Sequence, residues 1–246
     1  MENKAIDINV DMGEGIGNEA EIMPFISSCN IACGGHAGDK TSMETVVRLA
    51  KTHLVKIGAH PSFPDRANFG RVHIDMSCAA LFTSLKKQIK ALQTILFKEH
   101  RVLHHVKPHG ALYNVAAVNT KVAHVIIEVM KSLVLPVKLY VPYQSVIADI
   151  ATKNGIGIVY EAFADRNYNE DLTLVSRQEK DALISDVDAM FNHVFNMVTK
   201  QRVKTISGKE INIMANTFCI HGDNPNAVVL IKNLKDKLEL NGIAIR

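Results

Sequence analysis

No C-x-x-C pair occurs among the four cysteines, Cys29, Cys33, Cys78 and Cys219. That absence excludes the usual spacing of a structural zinc module. Cys29, Cys33 and His36 lie close together, but a fourth ligand is missing, and Cys33 closes the apolar run Asn30-Ile-Ala-Cys33 as a small buried hydrophobe would. No basic block appears. The net charge of +3, from 28 Lys+Arg against 25 Asp+Glu, argues for neither nucleic acid nor an anionic membrane as partner. No apolar run reaches the roughly 18–20 residues of a membrane span. The segment Met1–Asp11 lacks the apolar stretch of a signal peptide, so a cytoplasmic protein is expected. No G-x-x-x-x-G-K-[ST] loop is present, so any use of ATP cannot rest on a P-loop, and Gly13, Gly15 and Gly17 do not make a dinucleotide fingerprint. No G-x-S-x-G elbow offers a nucleophilic serine. No linker or low-complexity stretch divides the chain, and residues 1–246 are expected to form one domain.

What is present is a serial alternation of short strands and helices. Ala5–Asp11 alternates apolar and polar residues, which puts Asp7, Asn9 and Asp11 on one face of a first strand and Ile6, Ile8 and Val10 on the other. Cys29–Cys33, Lys56–His60, His104–Val106, Val137–Val141, Gly157–Glu161 and Thr217–Ile220 read as further strands. Helices are expected over 18–26, 41–53, 77–100, 111–133, 143–153, 179–200 and 226–241, with Asp39 and Asp223 as helix caps. Val203–Ser207 and Ile211–Met214 flank Gly208-Lys209-Glu210 as a side hairpin. Pro61–Arg71 is a long loop of turn residues, a length usually tied to function or mobility. Serial strand–helix units imply parallel strands with right-handed crossovers. An open doubly wound sheet and a closed barrel both satisfy that pattern. Polar residues at almost every strand exit favour an α/β, irregular TIM-like barrel of about seven parallel strands, because all the C-terminal loops then share one site.

Val106-Lys-Pro-His-Gly-Ala-Leu-Tyr-Asn114 is the most telling exit. Lys107 and His109 are two residues apart and point the same way on a strand. Pro108 between them has no N–H to donate and ends the pairing. A cation and an imidazole at a βα turn suit an anionic or carbonyl-bearing ligand. Of 11 histidines, His36, His60, His109 and His221 sit at strand exits, as do Asp7, Asp11, Glu14, Asp39, Asp65, Glu161, Asp165 and Asp223. Two chemistries fit such a ring. One is a divalent metal that activates water, with Asp7, Asp11, His36 and His60 as candidate ligands. The other is general acid–base work, with Lys107 and arginines holding an anionic group.

Asp7–Glu14, Asn30–Asp39, Ile57–Asp65 with Phe69-Gly-Arg71, Val106–Asn114, Glu161–Tyr168 and His221-Gly-Asp223 together resemble the LamB/YcsF family, in order and over nearly the whole chain. The resemblance implies a barrel of the glycoside hydrolase/deacetylase group. It also implies the activity of the A subunit of the bacterial ATP-dependent 5-oxoprolinase, which opens the lactam of 5-oxo-L-proline to L-glutamate with partner subunits B and C. ATP is the implied cosubstrate and Mg²⁺ a candidate cofactor; a homo-oligomer is also open. Within that chemistry Asp11, His60, Lys107, His109 and Glu161 are expected to be catalytic. Asn9, Glu14, His36, Arg71, Asn114, Arg166 and His221 are expected to bind substrate or phosphate. Near Arg177, Lys180-Asp181-Ala182 stands where the family usually has Pro-Gly-Ala, so no role is assigned to that loop. The alternatives are a stand-alone metal-dependent hydrolase or deacetylase, and a non-catalytic subunit that only binds a partner or a small acid.

Overall fold

In the computed structural model, which describes residues 4–246, the strands are β1 (Lys4–Met12), β2 (Ser28–Ala32), β3 (Lys56–His60), β4 (His105–Val106), β5 (Lys138–Pro142), β6 (Ile158–Phe163), β7 (Arg202–Lys204), β8 (Glu210–Asn212), β9 (Thr217–Ile220) and β10 (Ile243–Ile245). The helices are α1 (Glu19–Ile22), α2 (Lys40–Thr52), α3 (Cys78–Lys98), α4 (Gly110–Val118), α5 (Thr120–Lys131), α6 (Val146–Lys153), α7 (Val187–Lys200) and α8 (Ala227–Leu240). Residues 1–3, part of the stretch read for a signal peptide, lie outside the described residues.

β1 through β6 pair in order, all parallel, and β9 pairs with both β6 and β1. The sheet therefore closes as the expected seven-stranded barrel, with helices outside it. β7 and β8 form the expected antiparallel side hairpin. β10 was not foreseen. Ile6 O accepts from Arg246 N as Ile8 O accepts from Ser27 N, so β10 continues the β2 edge of β1 toward the N-terminal end of the barrel.

Alternation along β1 decides which residues face the helices. Ile8, Val10 and Met12 are sealed into the apolar shell with residues such as Leu85, Ile89, Ile127 and Leu234. Asp7, Asn9 and Asp11 turn inward and meet polar side chains of other strands. The bore is thus filled by hydrogen-bonded groups rather than by the branched apolar layers usual in such barrels. Gly58 on β3 has to be glycine here: a Cβ would stand 2.1 Å from Nε2 of His105, whose ring stacks on Tyr140 and reaches Asn30 Oδ1 at 2.7 Å.

Three expectations need correction. The helix over 111–133 is broken at Asn119, which ends α4 and caps α5 by accepting from Val122 N. The helix expected from Glu179 starts only at Val187, where Asp186 caps it; residues before it cross the mouth, with Ile184 N bonded to Asp165 O and Leu183 bridged to Arg166. Asp39 does cap α2, in a capping box with Ser42, but Asp223 caps nothing: it is engaged by Arg71 and Arg177, and α8 begins after Asn226.

Candidate active site

At the C-terminal end of the barrel the strand exits surround a cavity of about 380 Å³. Its floor is the ammonium of Lys107. The backbone carries Lys107 there because Lys107 N and His109 N continue the β3 ladder, donating to Ala59 O and Pro61 O, while Pro108 between them donates nothing. The side chain is 2% exposed. Its Nζ lies 3.0 Å from Asp11 Oδ1, 3.0 Å from Glu161 Oε1 and 3.0 Å from Cys219 Sγ. Burial works against the ammonium, but the two carboxylates outweigh it and raise its pKa well above the usual lysine value. Burial likewise opposes the Asp11 carboxylate, and His60 and Lys107 hold it well below the usual range all the same. The floor is therefore an ammonium held charged between two buried carboxyl groups. Burial pushes the Cys219 thiol far up, so it stays protonated beside the lysine.

Two imidazoles, of His60 and His109, line one wall, and a third, of His36, backs them. His60 donates Nδ1–H to the carbonyl of Lys107 at 2.7 Å, so its Nε2 presents a lone pair. His109 donates Nε2–H to the carbonyl of Phe69 at 2.9 Å, so its Nδ1 presents a lone pair. Those two lone-pair nitrogens stand 2.9 Å apart, with Asp11 Oδ2 3.3 Å from the first and Glu14 Oε1 3.5 Å from the second. His36 stacks on His109 with ring centroids 3.6 Å apart and places Nε2 at 2.9 Å from Glu14 Oε1. Burial, then the neighbouring His60, lowers the pKa of His36 to about 3 and of His109 to about 2, so both rings are neutral at any ordinary pH. Burial, then Asp11, raises that of Glu14.

The rim carries the cations. Arg71 and Arg177 both hold Asp223 Oδ2, at 3.1 and 3.0 Å. Arg166 is buried and donates to Val175 O, with Nε unpartnered. His221 lies over Phe163 and is held by Asp165, 2.9 Å from its Nδ1. Gly110, at φ +56°, lets the Pro61–Arg71 loop press on α4: Ala111 N donates to Gly70 O at 3.0 Å, and a Cβ on Gly110 would meet that oxygen at 2.7 Å.

The structure brings Asp11, Glu14, His60, Arg71, Lys107, His109, Asn114, Arg166 and His221 to the cavity wall. Glu161 reaches it through Lys107; its Oε2 is buried without a partner. His36 stands behind His109 rather than on the wall. Asn9 does not meet a ligand either: its Nδ2 donates to Glu161 Oε1 and Thr217 Oγ1 and its Oδ1 accepts from Asn30, so it braces the floor from beneath. Asp7 is corrected as a metal ligand. It is bonded to Ser27, Ser28 and Thr217, four residues below Asp11 and so about 13 Å down the strand. Sequence reasoning missed Cys219 and Arg177. The alternation of Thr217 and Cys219 marks the inward face of β9 and would have found the first; Arg177 sits in irregular chain and left no signal. The converging ligand atoms of Glu14, His36, His60 and His109 are rich in imidazole, whereas Mg²⁺ takes oxygen and is usually held by one or two carboxylates and substrate phosphates.

These features define a seven-stranded β/α-barrel protein with a small-molecule cavity among the loops after its strands. The chain belongs to the LamB/YcsF family, whose model matches residues 6–246. It is 41% identical over 246 residues to the 5-oxoprolinase A subunit of Bacillus cereus (strain ATCC 10987 / NRS 248), covering 98% of this chain and 97% of that one. It is 39% identical over 249 residues to the 5-oxoprolinase A subunit of Bordetella parapertussis, covering 99% of each. Its fold matches the crystal structure of the lactam utilization protein from Thermus thermophilus with a TM-score of 0.92, at 36% identity, over 98% of this chain and 99% of that one. Among the described residues no helix is long and apolar enough to cross a membrane.

Proposed function

We propose that the chain is the A subunit of an ATP-hydrolysing 5-oxoprolinase and acts with partner subunits B and C to open 5-oxo-L-proline to L-glutamate. The observation that carries the reading is the buried Lys107 ammonium, set beside converging acceptor atoms of His60, His109 and Asp11. A lactam is an unreactive amide. Transfer of the γ-phosphoryl group of ATP to its carbonyl oxygen, with ADP leaving, makes the ring carbon open to water. Water adds there and gives up a proton, the ring C–N bond breaks as its nitrogen takes one to leave an acyl phosphate, and a second water then hydrolyses that acyl phosphate to the carboxylate and free phosphate.

Each demand has a group of this chain facing it. Lys107 exchanges its weak bond to Cys219 Sγ for one to the oxygen that bears charge, and a fixed cation in a dry site needs little reorganisation as charge develops. The acceptor atoms of His60, His109 and Asp11 hold the attacking water, and His60 takes its proton. Arg71 and Arg177, now sharing one carboxylate, are the cations free to exchange Asp223 for a substrate carboxylate or a phosphate. The test is ATP-dependent formation of glutamate from 5-oxo-L-proline, by this chain alone and then mixed with B and C. Turnover in the mixture is expected; its absence there, with the partners shown to be bound, would refute the reading.

A further inference from the structure

The wall of imidazoles has more acceptors than its own protons can serve. With both rings in the neutral form, His60 Nε2 and His109 Nδ1 each present a lone pair, because the one proton is spent on a backbone carbonyl. Yet these nitrogens face each other at 2.9 Å, and the carboxylate oxygens beside them, Asp11 Oδ2 and Glu14 Oε1, accept as well. One added proton would bridge one such pair and leave the others facing bare. Two buried carboxyl groups, of Asp11 and Glu161, converge on the ammonium of Lys107, and a third, of Glu14, stands among the imidazoles.

We infer that Glu14, His36, His60 and His109 form a site for one divalent transition-metal ion, bound through Glu14 Oε1, His36 Nε2, His60 Nε2 and His109 Nδ1. These four atoms all lie within 4.8 Å of one another. Ligand atoms about 2.0–2.1 Å from a tetrahedral ion lie ~3.3 Å apart. Three of the six separations, 2.9, 2.9 and 3.5 Å, bracket that value, so the His60–His109 pair opens by a few tenths of an ångström on binding, and the rings of His36 and His109, stacked with planes 4° apart, turn relative to each other so that both nitrogens aim at the ion. Three imidazoles and one carboxylate suit Zn²⁺ or Co²⁺ rather than Mg²⁺ or Ca²⁺. The outer bonds are those of a ligating histidine: the second nitrogen of His60 and of His109 is already fixed by a carbonyl. This set differs from the one expected from sequence. Asp7 is too deep, and Asp11 belongs to Lys107 while standing next to the ion. An ion there would occupy the acceptor nitrogens of His60 and His109 that the lactam reading gives to water and would leave Asp11 as the remaining acceptor beside it; metal binding itself does not depend on that reading.

The experiment is titration of the chelator-treated, full-length chain with Co²⁺, read by its visible absorption and by calorimetry, with Zn²⁺ and Mg²⁺ as competitors. One equivalent per chain is expected, with the intense bands of a four-coordinate nitrogen-rich site, displaced by Zn²⁺ and not by millimolar Mg²⁺. His36→Gln and His109→Gln should each weaken binding at least ~100-fold, beyond what loss of an outer-shell partner costs. His53→Gln, at the end of α2, should not. Circular dichroism and melting of each variant check that the fold is kept. A chain that takes up no Co²⁺ at micromolar concentration, or whose binding survives both ligand substitutions in folded protein, would overturn the proposal. Because the readout needs neither ATP nor partner subunits, its failure is distinct from failure of the lactam reading.

Discussion

Replacing Lys107 with methionine keeps the length of the side chain and removes its charge from between two acids. In the native protein Asp11 Oδ1 and Glu161 Oε1 each lie 3.0 Å from Nζ, and all three side chains are at least nine-tenths buried. Removing one partner of a buried ion pair leaves the other charge uncompensated and costs about 3–5 kcal/mol. For a chain of this size each kcal/mol moves the melting point by roughly 2–4 °C, so Lys107→Met should melt ~6–20 °C below the native protein at pH 7. The gap should depend on pH with a definite sign. Native Asp11 has its pKa depressed, so its contribution is present above the unfolded value near ~3.9 and is lost as pH falls below it. Without Lys107 only His60 is left as a close neighbour to offset the burial penalty, the Asp11 pKa rises, and the variant regains stability as that carboxyl takes up a proton. The difference between the two proteins is therefore largest near neutrality and narrows on acidification. Lys107→Met/Asp11→Asn should recover part of the lost stability and none of the activity, which should fall by at least ~10²–10³ in the assembled enzyme if the ammonium stabilises developing charge. Melting curves at pH 7 and pH 5 and glutamate formation give the readouts. A variant that melts with the native protein at both pH values, or that turns over at the native rate, would refute the reasoning.

Gly58→Ala should destabilise the barrel by about 1–3 kcal/mol, seen in urea unfolding, because the new methyl lands 2.1 Å from the His105 ring inside a packed bore. Unchanged stability would mean that the ring moves freely. Asp223→Asn should leave stability within ~1 kcal/mol, its ion pairs being partly exposed, and should lower KM for 5-oxo-L-proline with little change in kcat by releasing Arg71 and Arg177. A raised KM would show that Asp223 holds those arginines in place rather than competing for them.

Most of the barrel was legible because the pattern that writes a strand and the residues that end it are local. Lys56–His60 and Thr217–Ile220 fall where alternation and their polar exits put them. β10 was not legible: Ile243–Ile245 becomes a strand only through β1, some 240 residues away. Residues 179–186 look helical in isolation, but bonds to Asp165 and Arg166 across the mouth hold them as irregular chain. The site shows the same divide. Period-two alternation says which face Asp7, Asn9 and Asp11 share, and they do share it. It says nothing of depth, and depth separates Asp11 at the cavity from Asn9 beneath the floor and Asp7 lower still. The convergence of His60 and His109 was expected, whereas the tautomers that leave their lone pairs opposed depend on carbonyls of Lys107 and Phe69 that no side-chain pattern encodes.

The polar bore ties the chemistry to the completion of the fold. Lys56 bonds to Asp7, Asp7 to Thr217, Thr217 to Asn9, Asn9 to Glu161, and Glu161 to Lys107, a relay that runs from the N-terminal rim to the cavity floor and uses strands from both ends of the chain. Thr217 and Cys219 arrive on the last barrel strand to be made. Until that strand docks against β1 and β6, the lysine lacks one neighbour and the brace beneath Glu161 lacks its anchor. A nascent or truncated chain thus carries a floor that is electrostatically unfinished, and a half-barrel of this sequence has no working precursor of the site. Selection on catalysis in such a molecule acts on ring closure itself, since the same bonds that seal the cylinder set the charge of its reactive end.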